Sequence, residues 1–389
     1  MTQTTRDARR PLGVYFHIPY CRRRCRYCDF VSTGGADAVP DAYVDLLLDE
    51  LRMWVQRLRP ESCRLETVYF GGGTPSLLSP GQLDRLMAAV RSAIPGADVP
   101  EVSMEGNPDS LTLDGIRGYV AAGINRLSVG VQSFDDGSLH LLGRLHTAAS
   151  AEQAVARARA AGVSNLSLDL MYGLPGSSAV QELASLEHAM RLGVEHISWY
   201  NLTLADATEL ARRVADGSEV MPGEDDVLAT MREGWRRLAA AGYVHYELSN
   251  FARPGFECRH NLGYWEYRDY LGLGLGASGC VQGERWTNLP RMEAYAAAVQ
   301  DGFLPIETTE SLPKRRREGE YAMLRMRLPV AGLERATFRE LFGEDALTVF
   351  REALATLEQE GLVVVHDNAI VCTQRGLELN NVVAEALIV

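Results

Sequence analysis

The stretch Leu12-Gly-Val-Tyr-Phe-His-Ile18 runs directly into Pro19-Tyr-Cys21-Arg-Arg-Arg-Cys25-Arg-Tyr-Cys28, and this junction decides the fold. Its first seven residues are mostly apolar, β-branched or aromatic, which predicts a buried strand. Asp41–Leu58 then shows helical spacing at Tyr43, Leu46, Leu47, Glu50, Leu51, Trp54 and Leu58. The alternation repeats down the chain. Strands are expected over Thr67–Phe70, Val99–Met104, Arg126–Val131, Asn165–Leu170 and Glu195–Tyr200. Helices are expected over Gln82–Ala93, Leu113–Ala122, Ala151–Ala161 and Gln181–Leu192. Nearly continuous apolar strands are the mark of parallel strands covered by helices. An α/β domain of six βα units with right-handed crossovers follows. An open doubly wound sheet would favour Gly-x-Gly-x-x-Gly after the first strand, and none is present. Polar residues instead gather where the strands end: His17, Gly71–Thr74, Glu105–Asn107, Gln132–Ser133, Asp169 and Asn201. Barrels place their active sites at that end, so the expected architecture is TIM-like, a partial (β/α)6 barrel.

Composition narrows the function. The chain has 389 residues, 46% hydrophobic and 23% charged, enough for about two to three domains and unlike a disordered chain. Lys and Arg number 39 against 51 Asp and Glu, a net charge of −12 that disfavours nucleic acid as main partner. No run approaches the roughly 18 apolar residues of a membrane span, which leaves only peripheral membrane contact. Met1–Arg10 is polar without an apolar h-region, so no secretory signal is expected. Seven cysteines, three of them within eight residues, fit a reducing, cytoplasmic setting.

Four regions are expected: a flexible N-terminus 1–10, the barrel core 11–223, an extension 224–309 and a small C-terminal domain 310–389. The extension opens with a helix, Asp225–Ala241, and a strand, Tyr243–Leu248, followed by the Gly- and aromatic-rich His260–Gly279. The tail reads as helix Ala346–Glu360, hairpin Leu362–Val371 and helix Gly376–Leu387, a winged-helix-like α+β module. Its acidity argues against DNA binding, and Lys314–Arg317 reads as a solvated helix start.

Cys21, Cys25 and Cys28 form C-x3-C-x2-C in the loop after the first strand. Thiolates are soft ligands, suited to zinc or iron–sulfur clusters. A closed zinc site needs four ligands, and His17, Asp29 or Cys258 would be candidates for the fourth. Three cysteines alone suit a [4Fe–4S] cluster with one iron left open. The second strand ends in Tyr69-Phe-Gly71-Gly72-Gly73-Thr74-Pro75-Ser76, whose glycines let backbone amides approach a ligand.

C-x3-C-x2-C followed by Gly-Gly-Gly-Thr-Pro resembles the radical S-adenosylmethionine (SAM) superfamily. Tyr15-Phe-His-Ile-Pro-Tyr-Cys21 through Cys28-Asp-Phe30 is similar to the branch of oxygen-independent coproporphyrinogen III oxidase. His260-Asn-Leu-Gly-Tyr-Trp265 resembles the H-N-x-x-Y-W motif of the HemW-type haem chaperones, and the resemblance runs from about Pro11 to Leu387. It implies a [4Fe–4S] cluster on Cys21, Cys25 and Cys28, with the amino and carboxylate groups of SAM on the fourth iron. It places Gly72, Gly73 and Thr74 at the methionine end, Tyr27 near the adenine with Tyr15 in the same site, and Glu105, Gln132, Arg144 and Asp169 around the cofactor. It also implies haem as cargo and haem-requiring acceptor proteins as partners, respiratory ones among the candidates. The chemistry agrees: a zwitterion beside a sulfonium wants both carboxylates and a guanidinium, and a ribose diol wants carboxylate or amide acceptors. Plainer roles stand beside these: an Arg144–Asp169 ion pair, Gln132 capping a loop, Tyr15 in the core.

His260 has two readings. It is an axial haem ligand, with Tyr264, Trp265, Tyr267 and Tyr270 as a flat wall, or a hydrogen-bonded histidine among packing aromatics. Cys258 is a second possible iron ligand. Phe30 stands where coproporphyrinogen oxidases usually carry a further cysteine, and Ser278 where many HemW-type relatives carry a histidine. The expected function is therefore a haem chaperone. The alternatives are a radical SAM enzyme, acting by decarboxylation or by methyl transfer to a heteroaromatic ring, and a zinc or nucleic-acid module.

Overall fold

The computed structural model describes residues 9–388, except the side chains of 96–99. Of the expected flexible N-terminus 1–10, residues 1–8 lie outside the described residues, and Arg10 already opens the first strand. The elements run β1 (Arg10–Ile18), α1 (Asp41–Leu58), β2 (Cys63–Gly72), α2 (Pro80–Ala93), β3 (Gly96–Gly106), α3 (Leu113–Ala122), β4 (Arg126–Gln132), α4 (Asp136–Leu142), α5 (Ala148–Ala160), β5 (Leu166–Tyr172), α6 (Ala179–Arg191) and β6 (His196–Asn201). Helix starts are set by side-chain caps: Ser79 with Gln82 on α2, Thr112 on α3, Thr147 on α5 and Ser178 with Gln181 on α6. The short α4 was not expected from sequence.

The chain continues through α7 (Glu209–Ala215), α8 (Glu224–Ala240), β7 (Val244–Glu247), β8 (Asn250–Ala252), α9 (Arg259–Trp265), β9 (Asp269–Leu273), β10 (Ser278–Val281), β11 (Glu284–Asn288), α10 (Met292–Gln300) and β12 (Ile306–Ser311). It ends with α11 (Lys314–Arg325), β13 (Leu333–Glu334), α12 (Arg335–Phe342), α13 (Ala346–Val349), α14 (Arg351–Gln359), β14 (Val363–Val365), β15 (Ala369–Cys372), α15 (Gln374–Glu378) and α16 (Asn380–Leu387).

These elements form two compact units. The first holds the residues up to Gly130, Leu142–Leu166 and Arg268–Glu310. In its sheet β1 to β4 lie in chain order, all parallel. The Gly-rich segment, for which no strand was expected, leads into further strands of this sheet: β9 pairs parallel with the free edge of β1, and β10 and β11 follow antiparallel. Glycine hid these strands because it has low strand propensity, yet close approach requires it. A Cβ on Gly272 would strike the Ser278 backbone, and one on Gly279 the Trp286 ring. Leu12, Val14, Phe16 and Ile18 of β1 are buried, and Phe16 stacks on Phe70 with ring centroids 5.0 Å apart. Beneath β9, fully buried Glu50 accepts from the Gly274 N–H (2.8 Å), the Asn288 amide (2.7 Å) and the Tyr295 hydroxyl (2.6 Å). Burial pushes this carboxyl up to about 7. Tyr43 donates to the His17 carbonyl (2.8 Å) and accepts from the Leu275 N–H (3.0 Å), tying α1 to the end of β1.

The second unit holds Val131–Leu141, Ser167–Tyr267 and the residues from Ser311 onward. Here β5 and β6 are parallel, and β8 and β7 continue antiparallel. Its C-terminal part places α11, α12 and α14 with the antiparallel sheet β13-β15-β14 around Phe338, Phe342, Phe350, Leu357 and Ile370, the expected winged-helix-like arrangement. Two helices expected to be continuous are broken. The first breaks at Phe350, buried against Phe338, and the second at Leu379; both residues leave helical backbone geometry. No described helix is long and apolar enough to cross a membrane.

Candidate cofactor site

Parallel pairing sets Ile18, the last residue of β1, beside Gly72, the last of β2. The cysteine loop and the glycine loop therefore emerge side by side. Backbone hydrogen bonds lock them together: Gly73 N–H donates to the Ile18 carbonyl (2.8 Å) and Thr74 N–H to that of Tyr20 (2.8 Å). Cys21 N–H donates to Thr33 (2.9 Å), and Arg26 N–H to Leu142 (3.0 Å). The glycines are needed here. A Cβ on Gly73 would meet the Tyr20 and Ile18 carbonyl oxygens at 2.8 and 2.9 Å and Cys21 Sγ at 3.0 Å. Gly72 has φ +110°, and a Cβ there would run into the His17 ring at 2.6 Å.

A continuous run of hydrogen bonds joins two of the thiols. Thr74 donates its hydroxyl to Cys21 Sγ (3.4 Å) and accepts from the Asn107 amide (3.0 Å). Asn107 Oδ1 accepts from Arg144 (2.7 Å). Arg144 also donates to Cys25 Sγ (3.4 Å) and to the Gly130 carbonyl, while its buried Nε has no partner. Asn107 received no role from sequence; its only signal was its place in the polar run closing β3. Cys28 N–H donates to the Cys25 carbonyl (3.2 Å), which folds the third thiol back toward the second. Among the described residues no three His, Cys, Asp or Glu side chains close into the shell of a single metal ion. His17, a candidate zinc ligand by sequence, has both ring nitrogens engaged, Nδ1 with the Tyr15 hydroxyl (3.0 Å) and Nε2 with the Val31 carbonyl (2.7 Å). A carbonyl only accepts, so Nε2 carries the proton and Nδ1 accepts from Tyr15. Burial holds the imidazole below its usual pKa, hence neutral.

Glu105 accepts from the Tyr69 hydroxyl (2.7 Å) and the Gly72 N–H (3.2 Å), so the glycine turn and the β3 carboxylate form one surface. Burial raises the Cys21 thiol, partly offset by the Thr74 hydroxyl, and also raises Cys28. Burial raises the Tyr27 phenol well above its usual range. Burial opposes the charge on Arg144, but Tyr27 and Cys25 beside it hold the guanidinium protonated. A cleft opens here, lined by Arg22, Arg23, Cys25, Thr74, Asn107, Asp109, Gly143, Arg144 and Leu145.

The structure thus brings Tyr15, Cys21, Tyr27, Cys25, Cys28, Gly72, Gly73, Thr74, Glu105 and Arg144 into the first unit. Gln132, Asp169 and His260 belong to the second. Gln132 has φ +67°, strained for a non-glycine residue, and its Oε1 accepts from Tyr200 (2.7 Å). Asp169 accepts from Ser198 (2.7 Å). His260 is only 3% exposed, with Nε2 hydrogen-bonded to the Tyr264 hydroxyl (2.8 Å). Trp265 lies under the Arg327 guanidinium at 4.2 Å, and Tyr267 donates to Glu320 (2.8 Å) and packs edge-on to Tyr321. As folded, these aromatics pack against the C-terminal domain and do not form an open wall. Cys258 is fully buried, and Ser278 is hydrogen-bonded to Thr287 (3.0 Å).

Residues 15–189 match the model of the radical SAM superfamily, which defines the class of protein. Residues 312–379 match the HemN C-terminal domain. The chain is 35% identical over 378 residues to the haem chaperone HemW of Haemophilus influenzae, covering 95% of this chain and 96% of the relative. It is 38% identical over 388 residues to that of Mycobacterium tuberculosis, covering 97% and 95%. The chain belongs to the HemW family within the radical SAM superfamily. Its fold is that of the Escherichia coli coproporphyrinogen III oxidase HemN, a radical SAM enzyme: TM-score 0.82, 23% identity, with 99% of this chain and 91% of that one covered.

Proposed function

We propose that the protein is a haem chaperone: it binds haem and delivers it to haem-requiring proteins, with a [4Fe–4S] cluster and SAM held in the core. The observation that carries the cofactor reading is the hydrogen-bonded run Cys21–Thr74–Asn107–Arg144–Cys25. It ends in a buried Arg144 Nε without a partner, beside a glycine turn too tight for any side chain. Such a donor set fits an anionic thiolate cluster and the carboxylate of SAM. Cys21, Cys25 and Cys28 would hold the irons. Gly72, Gly73, Thr74 and Arg144 would orient the methionine end. Glu105, Tyr15 and Tyr27 would line the remainder. When bound, the cluster supplies an open iron and an electron for cleavage of the sulfonium.

The cargo reading rests on the relatives named haem chaperone HemW, at 35 and 38% identity over nearly the whole chain. His260 is the candidate iron ligand; its Nε2 is hydrogen-bonded to Tyr264. The test is a haem titration of the wild type and of His260→Ala, then transfer to apomyoglobin. A Soret band in the wild type that moves to apomyoglobin supports the reading; no Soret change in the wild type sinks it. A second reading, radical catalysis, is favoured by strained Gln132, since such strain collects at working sites. Release of 5′-deoxyadenosine coupled to turnover of a porphyrinogen would establish it.

A further inference from the structure

Three polar side chains with no role so far are buried together in the second unit: Ser167 on β5, His196 on β6 and Tyr246 on β7. Ser167 and His196 are register partners on parallel strands, and Ser167 Oγ lies 2.7 Å from His196 Nδ1. His196 Nε2 lies 2.8 Å from the Tyr246 hydroxyl. That hydroxyl also accepts from the Cys258 N–H (3.2 Å). The run therefore leads from two parallel strands to the residue that starts α9, two positions before His260.

Two backbone features make this reach possible. The β7–β8 ladder shifts register between His245 and Glu247, which makes Tyr246 the bulged residue. A bulge re-aims a side chain, and bulges gather beside functional sites. On β8, the strand between β6 and β7, the ladder partner of His196 is Ala252. Its single methyl leaves room for the Tyr246 ring to cross to His196, with ring centroids 5.6 Å apart.

Helix α9 needs such support. Its N-cap, Cys258, makes no side-chain cap, and cysteine is not among the good capping residues. With seven residues the helix is too short to hold itself. The Tyr246 hydroxyl gives the N–H of the cap residue its acceptor. Burying three polar groups is costly beside plain apolar packing, so what the run contributes is direction. It fixes where the first turn begins, and the Leu262 N–H closes that turn on the Cys258 carbonyl (3.0 Å), around His260.

We propose that Ser167, His196 and Tyr246 are positioning residues for the cargo site: they set the entry of α9 and with it the direction in which His260 meets haem iron. The proposal rests on the reading of His260 as iron ligand. The three do not touch haem. They act through the α9 backbone, as outer partners orient a metal ligand.

The test uses the full chain with haem as probe. Tyr246→Phe keeps the ring and removes the hydroxyl that joins His196 to Cys258. His196→Gln keeps a donor and an acceptor and is the conservative variant; His260→Ala is the ligand control. Haem release is followed by capture in excess apomyoglobin, ligation by Soret position and electron paramagnetic resonance, α9 by amide hydrogen exchange, and the fold by thermal unfolding. Tyr246→Phe should release haem about tenfold faster, with altered spectra, and should speed exchange in α9 while β5 and β6 stay protected. His196→Gln should stay within about twofold of the wild type. Ser167→Ala, which deletes one oxygen at the far end, should move release and spectra the same way by less, and it carries the test if Tyr246→Phe does not fold. The proposal is overturned if these variants melt earlier but keep the wild-type spectra and release rate, since the run is then structural only. If His260→Ala itself keeps the wild-type spectra, the ligand reading falls and the proposal falls with it. Loss of haem ligation in His260→Ala beside unchanged Tyr246→Phe and Ser167→Ala overturns the positioning role alone.

Discussion

Thr74 shows how much a single hydroxyl can carry. It donates to Cys21 Sγ while accepting from Asn107, which Arg144 holds, so it links the Arg144 guanidinium to the Cys21 thiol. A donor to a thiolate favours the more electron-rich, reduced cluster. Thr74→Val keeps the shape and removes the donor. We expect normal iron content and a reduction potential lower by roughly 40 mV, the equivalent of about 1 kcal/mol in a one-electron couple; a redox titration checks it. Gly73→Ala should act differently. Its methyl would sit 2.8 and 2.9 Å from two carbonyl oxygens, so the loops must part and iron content should fall, as read by iron and sulfide assay. Glu50 gives a pH prediction. Its folded pKa, raised to about 7 by burial, lies above its unfolded value, so the folded state binds the extra proton. Stability from this group is complete below about pH 4.5, declines as pH rises and is gone above about 7, a difference of about 3 kcal/mol. Urea midpoints should therefore fall between about pH 4.5 and 7 in the wild type and change less in Glu50→Gln. At this scale the need for glycine at Gly73, beside Cys21, was legible, because a tight turn between neighbouring strand ends is a matter of local geometry. Asn107 and Glu50 were not, because their importance comes from partners 37 and 224 residues away.

At the level of elements, helix α9 departs most from its expectation. The H-N-x-x-Y-W letters suggested an aromatic wall around haem, yet helical spacing alone cannot say which face a neighbouring element will cover. In the structure Tyr264 holds His260, and Trp265 is pressed under Arg327. Trp265→Ala should therefore cost about 2 kcal/mol of stability through lost packing and cation–π contact. Thermal unfolding of the wild type and variant checks this, and a haem titration run alongside separates the roles. If haem affinity falls while the melting temperature holds, the packing role is refuted. The six βα units were legible because parallel strands read as apolar runs. Strands β9 and β10 were missed because Gly272 and Gly279 meet packing demands and break the hydrophobic period.

At the scale of the whole chain, main-chain hydrogen bonds account for the course of the loop that bears the thiols. Main-chain bonds from Thr33, Gly35, Ala36, Gly73 and Thr74 fix its course, and Thr74 N–H reaches Tyr20 irrespective of any thiolate. This differs from small metal-folded modules, in which ligand binding is the folding energy. Each unit also has its own buried core, the second built around Phe338, Phe342 and Ile370 far along the chain from Cys28. The triple variant Cys21→Ala/Cys25→Ala/Cys28→Ala should then contain no iron yet keep the wild-type far-ultraviolet circular dichroism and unfold cooperatively. Its melting temperature should stay within a few degrees of the iron-free wild type, since the deleted sulfurs contribute little beyond the buried Cys21. Haem titration of the same variant then asks where the cargo sits. His260 rests on contacts within the second unit, so a haem held there should still give a Soret band after the thiols are gone. If the triple variant melts well below the iron-free wild type, the loop is not self-supporting. If it stays folded but no longer takes haem, the cargo depends on the cysteine loop and His260 is not its ligand.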